Sequence, residues 1–291
     1  MFCDFETTTH GKWILAGEHA VLRSHGALVF PVREKELRLH YQPAKELSAD
    51  YTGASGTDIH LLFWSVLEYS QQLLGDSLNR LTGHFQLDCS IPVGVGMGAS
   101  AALCVAVARW FAAQRLIGSE AVFDFARQLE NLFHGKSSGL DIAGVGAQGG
   151  IYFNQGILTS VNLAWHPKWY LSSCGQIGIT SHCISRVNDL WIADPIKAKS
   201  IDDEMDAVVN QCRLALETYN EDSQSLLCQA INRGAECFYN WGLVSDNLQQ
   251  HMDLLLKNGA LAVKPTGSGN GGYVISLWDK EPEIDLMLTA I

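Results

Sequence analysis

The sequence lacks the excess of basic residues that binding to nucleic acid or to an anionic membrane would require. It contains 20 Lys and Arg residues against 31 Asp and Glu residues, which gives a formal net charge of −11 at pH 7. Such a chain exerts no general attraction on a phosphate backbone or an anionic lipid surface. We therefore expect neither nucleic acid nor a membrane as a partner. An anionic ligand would need a local site of backbone N–H groups, a lysine and a metal ion.

The sequence also has no C-x-x-C pair and no signal-peptide pattern over residues 1–9. The eight cysteines include no C-x-x-C pair, and several stand in apolar runs, as Cys104 does. This usage is typical of reduced, buried thiols. Residues 1–9 contain Asp4 and Glu6 but no lysine or arginine, unlike a signal peptide. We expect a cytoplasmic protein.

Charged residues are absent from two long stretches, 89–108 and 142–167, which at first suggest membrane spans. Both stretches contain several glycines, and the first also contains Pro92, so buried turns explain them better than lipid-facing helices. Hydrophobic residues make up 47% of the chain and charged residues 18%, as in ordinary globular proteins. With 291 residues there is room for two modest domains.

The order of apolar patterns predicts an α/β or α+β fold with a loose domain boundary near residue 160. Alternation and helical spacing predict strands over 13–16, 27–30, 36–41, 85–89, 151–153 and 273–278, and helices over 58–74, 99–116, 119–133, 200–219, 223–241 and 245–258. We assign residues 1–160 to the first domain and 161–291 to the second.

Residues 92–100 (PVGVGMGAS) form the clearest single motif. Gly94, Gly96 and Gly98 allow positive φ angles and close approach of a ligand to the backbone. The helix that follows adds unpaired N–H groups and the positive end of its dipole, so the segment predicts a phosphate site. Ser100, in the first helical turn, could reach a phosphate-bound Mg²⁺.

Two other interpretations of this loop stay open on motif shape alone. No lysine follows the glycines, so the loop is not a Walker A motif. The pattern Gly94-x-Gly96-x-x-Ala99, with Glu120 downstream, also fits a loose dinucleotide fingerprint and hence an oxidoreductase. A tight turn before a core helix is the structural alternative.

Four ordered segments together resemble the GHMP kinase family. Residues 11–21 (GKWILAGEHAV), 92–103 (PVGVGMGASAAL) and 264–272 (KPTGSGNGG) resemble its three motifs. Residues 130–141 (ENLFHGKSSGLD) are similar to the signature of its mevalonate kinases, in which a metal-binding glutamate precedes a catalytic aspartate. The resemblance spans residues 11–272, nearly the whole chain.

The resemblance implies a two-domain GHMP kinase-type fold, with a mixed sheet and helices in the nucleotide-binding domain and a ferredoxin-like α+β second domain. It implies phosphorylation of the primary hydroxyl of mevalonate to 5-phosphomevalonate, with ATP and Mg²⁺. A homodimer is one assembly compatible with it. A sister kinase acting on phosphomevalonate is the nearest alternative; it would need extra basic residues at the acceptor site, for which Lys136 is the candidate.

Residue roles follow from the same resemblance. Asp141 would orient the acceptor hydroxyl and take its proton, and Lys12 would place a positive charge by that hydroxyl and the γ-phosphate. Ser100 and Glu130 would bind Mg²⁺. The substrate side would comprise Glu18, His19, Asp141 and Thr266. The nucleotide side would comprise Pro92, Gly94, Gly96, Met97, Gly98, Ala99, Ser100, Ala101, Gly267 and Gly269.

Sequence chemistry alone also allows purely structural roles for these residues. Asp141 could stabilise a turn, Glu130 could be an exposed helix residue, and the glycines at 267–272 could form a tight turn into the last strand. The chain also departs from the family pattern at three places: His10 replaces a proline, Ala99 replaces a serine, and Lys136-Ser137 replaces Asn-Pro. The last change lies near the predicted catalytic residue.

Overall fold

The computed structural model describes residues 2–76, 81–135, 137–283 and 287–291. The chain forms two compact units: residues 1–12 with 31–148, and residues 13–30 with 149–291. It passes from one unit to the other within two strands, after Lys12 and after Phe30. The division at residue 160 stays a prediction.

The sheet of the first unit is built on long alternating strands. Its strands are β1 (Phe5–Ala16) and β2 (Ala27–Gln42), which continue into the second unit, with β3 (Leu47–Thr52) and β4 (Gly83–Cys89). β1 pairs with β2, β2 is antiparallel to β4, and β3 is parallel to β4. Leu37, Leu39 and Tyr41 of β2 are fully buried while Arg38 is exposed, as the two-residue period of a strand requires.

Helices cover this sheet, and one of them is apolar on nearly every face. The helices are α1 (Gly56–Leu73), α2 (Ala99–Ala113), α3 (Val122–His134) and α4 (Leu140–Gly146). Every residue of α2 from Ala101 to Ala108 is buried, which confirms the central position predicted from its composition. Near its end Trp110 packs on Tyr41 and Phe85, with ring centroids 5.0 Å from each.

The second unit contains an antiparallel sheet with helices. Its strands are β5 (Ile151–Asn154), β6 (Ile157–Ser160), β7 (Lys168–Ser173), β8 (Ala262–Thr266), β9 (Tyr273–Trp278) and β10 (Thr289–Ala290); its helices are α5 (Thr180–Ala193), α6 (Pro195–Glu217), α7 (Ser223–Asn240) and α8 (Asp246–Lys257). One sheet has the order β10-β7-β9-β8. β5 pairs with residues 27–29 of β2 and with β6.

Caps and packing explain where these helices begin. Asp194 accepts a hydrogen bond from the N–H of Lys197 at 3.0 Å, with Pro195 in the first turn of α6. Ser245 caps α8 in the same way through the N–H of Leu248. The apolar face of α8 then packs on β8 and β9 through a cluster of buried residues that includes Leu248, Met252, Leu255, Val263, Val274 and Trp278.

The structure corrects several predicted boundaries. The predicted strands 27–30 and 36–41 are one continuous strand, β2, and α2 ends at Ala113 rather than near 116. β3, α4 and α5 were not predicted, because β3 (LSADYT) is partly exposed and polar, and α4 (LDIAGVG) is short and rich in glycine. No helix within the described ranges is long and apolar enough to cross a bilayer.

Candidate active site

The glycine loop enters α2 in the conformation that only glycine adopts readily. Gly94, Gly96 and Gly98 have φ angles of 81°, 84° and 82°. Gly98 is the N-cap residue of α2, and among the described residues no side chain caps the helix start. Its first N–H groups are therefore available to an anion, and the helix dipole adds to their attraction.

Gly98 also makes room for Lys12. A Cβ at position 98 would lie 2.9 Å from Cγ of Lys12 and 3.0 Å from Cγ1 of Val145. The backbone N–H of Lys12 donates to the carbonyl of Met97 at 2.9 Å. The lysine on β1 and the glycine loop are thus held together by both a hydrogen bond and close packing.

Lys12 and Asp141 form an ion pair beside this loop. Nζ of Lys12 lies 2.8 Å from Oδ1 of Asp141, and the lysine side chain is 3% exposed while the aspartate is 31% exposed. Asp141 stands in the first turn of α4, directly after Gly139 (φ 88°) and Leu140. The pair therefore combines a buried positive charge with a carboxylate that solvent or a ligand can reach.

Arg109, which the sequence analysis did not single out, holds the far end of α4. Its Nη2 donates to the carbonyl of Gly146 at 3.2 Å, and its Nη1 donates to the carbonyl of Thr8 on β1 at 2.9 Å. Burial lowers the pKa of this guanidinium from its ordinary value. These bonds fix the helix that carries Asp141 against the strand that carries Lys12.

Glu130 lies on α3 and is almost completely buried, at 2% exposure. Its Oε2 accepts a hydrogen bond from the hydroxyl of Ser137, and its Oε1 has no hydrogen-bond partner in the described part of the chain. Burial raises the pKa of this carboxyl to about 8, with the charge of Asp141 adding to the shift, while the Ser137 bond and Lys12 oppose it.

Such a carboxylate suits a hard divalent cation. Burial and the charge of Asp141 disfavour the ionised form of Glu130, and a bound cation would stabilise that form. Mg²⁺ is suited to this position because it takes oxygen ligands. Ser100, partly exposed in the first turn of α2, offers a hydroxyl oxygen. No cluster of three or more His, Cys, Asp or Glu is found among the described residues, so an ion here would also need phosphate or water ligands.

The second unit holds a separate polar group around His19. Nε2 of His19 lies 2.9 Å from the carbonyl oxygen of Ser268, and its ring contacts that of Trp241 at 5.2 Å between centroids. Burial lowers the pKa of His19 from 6.5 to about 4; the bond to Ser268 opposes this shift, and the charge of Arg23 adds to it. The ring is therefore neutral at pH 7.

Lys264 is a buried residue whose role the sequence analysis missed. It is fully buried and paired with Glu18, which is 2% exposed; its Nζ also donates to the carbonyl of Pro265 at 2.6 Å. The same nitrogen lies 4.8 Å from the ring centroid of Phe238. The sequence signal that could have identified Lys264 is its position as the first residue of segment 264–272.

Thr266 and the second glycine loop follow directly. The Thr266 hydroxyl accepts from the N–H of Ile14 at 2.8 Å and donates to the carbonyl of Ile14 at 3.0 Å, which ties β8 to β1. Gly267 and Gly269 have φ angles of 90° and 82°. The predicted contacts of these residues with ligands stay predictions.

Within the first unit, the structure brings together Lys12, Asp141 and the glycine loop, and the charges of Asp141 and Lys12 both act on the pKa of Glu130, the first raising it and the second lowering it. Other predicted nucleotide residues are buried, among them Met97, Ala99 and Ala101. Pro92 and Ser100 are partly exposed. Lys136, the predicted mark of a phosphorylated acceptor, lies outside the described residues.

Comparison with known proteins shows which families and structures this chain resembles. Residues 62–149 match the model of the GHMP kinases N terminal domain. The chain is 26% identical to the mevalonate kinase of Archaeoglobus fulgidus, over 93% of this chain and 91% of that protein. It is 26% identical to the mevalonate kinase of Pyrococcus horikoshii, over 73% of this chain but only 65% of that protein, slightly less than two thirds of its length.

A solved structure has the same fold. The crystal structure of L. major mevalonate kinase in complex with R-mevalonate superposes with a TM-score of 0.77 and 22% identity, over 95% of this chain and 88% of that one. These findings confirm the resemblance to GHMP kinases that the four segments predicted, and they confirm the two-domain α/β fold class.

Within that family, the relatives described above are mevalonate kinases. The family match favours a kinase over the dinucleotide-binding oxidoreductase that the glycine loop alone had left open, and it supports ATP as the nucleotide.

Proposed function

We propose that the protein transfers the γ-phosphoryl group of ATP to the primary hydroxyl of mevalonate, giving 5-phosphomevalonate and ADP. The observation that carries the proposal is the ion pair of Lys12 and Asp141, 2.8 Å apart beside the glycine loop that opens α2. The mevalonate kinases to which the chain is similar support the choice of acceptor.

Asp141 and Lys12 are the proposed catalytic residues. Asp141 accepts the proton of the acceptor hydroxyl while that oxygen attacks the γ-phosphorus, and the bond from phosphorus to the leaving oxygen of ADP breaks. Lys12 holds the carboxylate in place by its ion pair. Its buried positive charge also stabilises the negative charge that develops on the attacking and transferred oxygens.

The nucleotide is held chiefly by backbone. In this proposal the N–H groups of the loop from Pro92 to Ala101 bind its phosphates. Ser100 and Glu130 would hold Mg²⁺. When bound, Mg²⁺ neutralises charge on the phosphate oxygens.

Glu18, His19 and Thr266 are proposed for the substrate side. Neutral His19 donates from Nε2 to the carbonyl of Ser268, so its Nδ1 is left as an acceptor. A hydroxyl of the acceptor can donate to that nitrogen. A cytoplasmic location and a homodimer stay predictions.

The decisive assay measures ADP release by the purified protein with ATP and Mg²⁺, in parallel with mevalonate, phosphomevalonate, homoserine and sugars. Turnover with mevalonate well above the other acceptors is expected. A clear preference for phosphomevalonate would establish the sister activity instead, and no turnover above background with any acceptor would contradict the proposed reaction.

The role of Asp141 is tested by Asp141→Asn, which keeps the shape of the side chain but removes the proton acceptor. We expect kcat to fall by about 10²- to 10⁴-fold, with the dissociation constant for ATP nearly unchanged. Asp124→Asn is the matched control, because Asp124 is an exposed carboxylate on α3 paired with Arg127. Full turnover in Asp141→Asn would remove Asp141 from the mechanism.

A further inference from the structure

The hydroxyl of Ser137 joins two parts of the candidate site. It donates to Oε2 of Glu130 on α3, and it accepts from the backbone N–H of Gly139 at 3.0 Å. Gly139 is the N-cap residue of α4, which carries Asp141 in its first turn. Ser137 is itself buried, so water competes only weakly for the groups that form these two bonds.

The signature that this segment resembles could not form these bonds. The segment has Lys136-Ser137 where the related signature has Asn-Pro. A proline has neither a side-chain hydroxyl nor a backbone N–H. Here the backbone N–H of Ser137 donates to Oδ1 of Asn131 at 2.7 Å, so the residue is tied to α3 by its backbone as well as by its side chain.

The two oxygens of the Glu130 carboxylate therefore differ in their hydrogen bonding. Ser137 occupies Oε2, whereas Oε1 is buried without a hydrogen-bond partner in the described ranges. A carboxylate fixed by one oxygen cannot rotate freely, so the other oxygen keeps one direction. Such an oxygen is preorganised to bind a cation, because the carboxylate loses little conformational entropy when the cation binds.

We propose that Ser137 is a positioning residue that fixes the Glu130 carboxylate for a divalent cation and holds it in a constant position relative to α4 and Asp141. This inference rests on the proposed function, in which Glu130 is a Mg²⁺ ligand. In this proposal Ser137 acts through its hydrogen bonds to Glu130 and Gly139.

The test measures how strongly Mg²⁺ tightens the binding of ATP. Titration calorimetry gives the dissociation constant for ATP in EDTA and in excess Mg²⁺, and the ratio of the two is the metal coupling of each variant. Ser137→Ala removes the hydroxyl, and we expect its ratio to fall by about 10-fold, as for the loss of a hydrogen bond to a charged group. Ser137→Thr keeps the hydroxyl and should restore the ratio.

Ser138→Ala is the matched control in the same loop. The Ser138 hydroxyl accepts from the N–H of Leu140 at 3.2 Å, and within the described part of the chain it makes no hydrogen bond to Glu130. Its metal coupling should therefore equal that of the unmodified protein. If Ser137→Ala does not fold, Ser137→Cys, a weaker donor of similar size, carries the same expectation with a smaller loss.

The outcomes separate this inference from the proposed function. Unchanged coupling in Ser137→Ala, or an equal loss in Ser138→Ala, would overturn the role of Ser137 while leaving the kinase proposal intact. Loss of coupling in Glu130→Gln together with normal coupling in Ser137→Ala would point the same way. Absence of turnover with mevalonate would contradict the proposed acceptor but would leave this binding measurement valid. No metal coupling in the unmodified protein would overturn the Mg²⁺ role of Glu130 and this inference together.

Discussion

Replacing Gly98 by alanine should damage catalysis more than replacing Gly94, although both glycines have nearly the same backbone conformation. Their φ angles are 82° and 81°, so an alanine at either position meets a similar backbone penalty of about 1–2 kcal/mol. The surroundings differ. A Cβ at 98 would lie 2.9 Å from Lys12 and 3.0 Å from Val145, whereas a Cβ at 94 would meet no described atom within 4 Å.

The magnitude follows from how far Lys12 must move. Carbon atoms pack best at about 3.5–4.0 Å, so the new methyl group must push the Lys12 stem or the loop by roughly 0.5–1 Å. Nζ of this stem is the partner of Asp141. A displacement of about 1 Å in catalytic groups can lower the rate about 100-fold, and we expect a loss in kcat of about 10- to 100-fold for Gly98→Ala.

Gly94→Ala is the control for backbone strain. Chemical denaturation should show comparable losses in the free energy of unfolding for the two variants, and steady-state kinetics with ATP and mevalonate should separate them. We expect Gly94→Ala to act mainly on KM for ATP, because its methyl group would stand in open space on the loop that is proposed to bind phosphate. Equal kcat values in the two variants would refute the argument that Gly98 is needed to place Lys12.

Two further predictions concern the buried polar residues of the second unit. The pKa of His19 is about 4 in the folded protein and about 6.5 in the unfolded chain, so between these values the unfolded chain binds more protons. The free energy of unfolding should therefore fall as the pH drops from 6.5 to 4, by about 3 kcal/mol at most, and His19→Gln should lose that part of the slope in pH-dependent denaturation. Lys264→Met or Glu18→Gln alone leaves the other buried charge without its ion-pair partner and should cost about 3–5 kcal/mol, whereas the double variant should cost clearly less than the sum. Additive losses in a double-mutant cycle would contradict the importance of the pair.

The sequence predicted those parts of the site that local signals specify. The alternate glycines at 94, 96 and 98 require positive φ, and the structure has all three in that region at the start of α2. The apolar composition of this helix predicted its burial. The association of Lys12 with Asp141 came from the family resemblance, since 129 positions separate the two residues and no local rule connects them.

Glu130 shows what sequence chemistry could not supply. A glutamate on a helix is normally exposed, yet this one is 2% exposed. Its burial depends on the packing of α3 and on the return of the chain at Ser137, which supplies its hydrogen bond. Lys264 is a similar case, because its partner Glu18 stands 246 positions away. Such pairings are consequences of topology, and their effect on pKa appears only when the neighbours are known.

The two units each contain a buried lysine paired with a carboxylate, and exposure decides which pair suits proton transfer. Asp141 is 31% exposed, so a ligand hydroxyl can approach it while Lys12 holds it from the buried side. Glu18 is 2% exposed and Lys264 fully buried, so a substrate has little access to that carboxylate, and neutralising the buried lysine is the role its position supports. A direct contact of Glu18 with the acceptor stays a prediction. The different losses expected on neutralisation, turnover for Asp141 and folding stability for Glu18, distinguish the two roles experimentally.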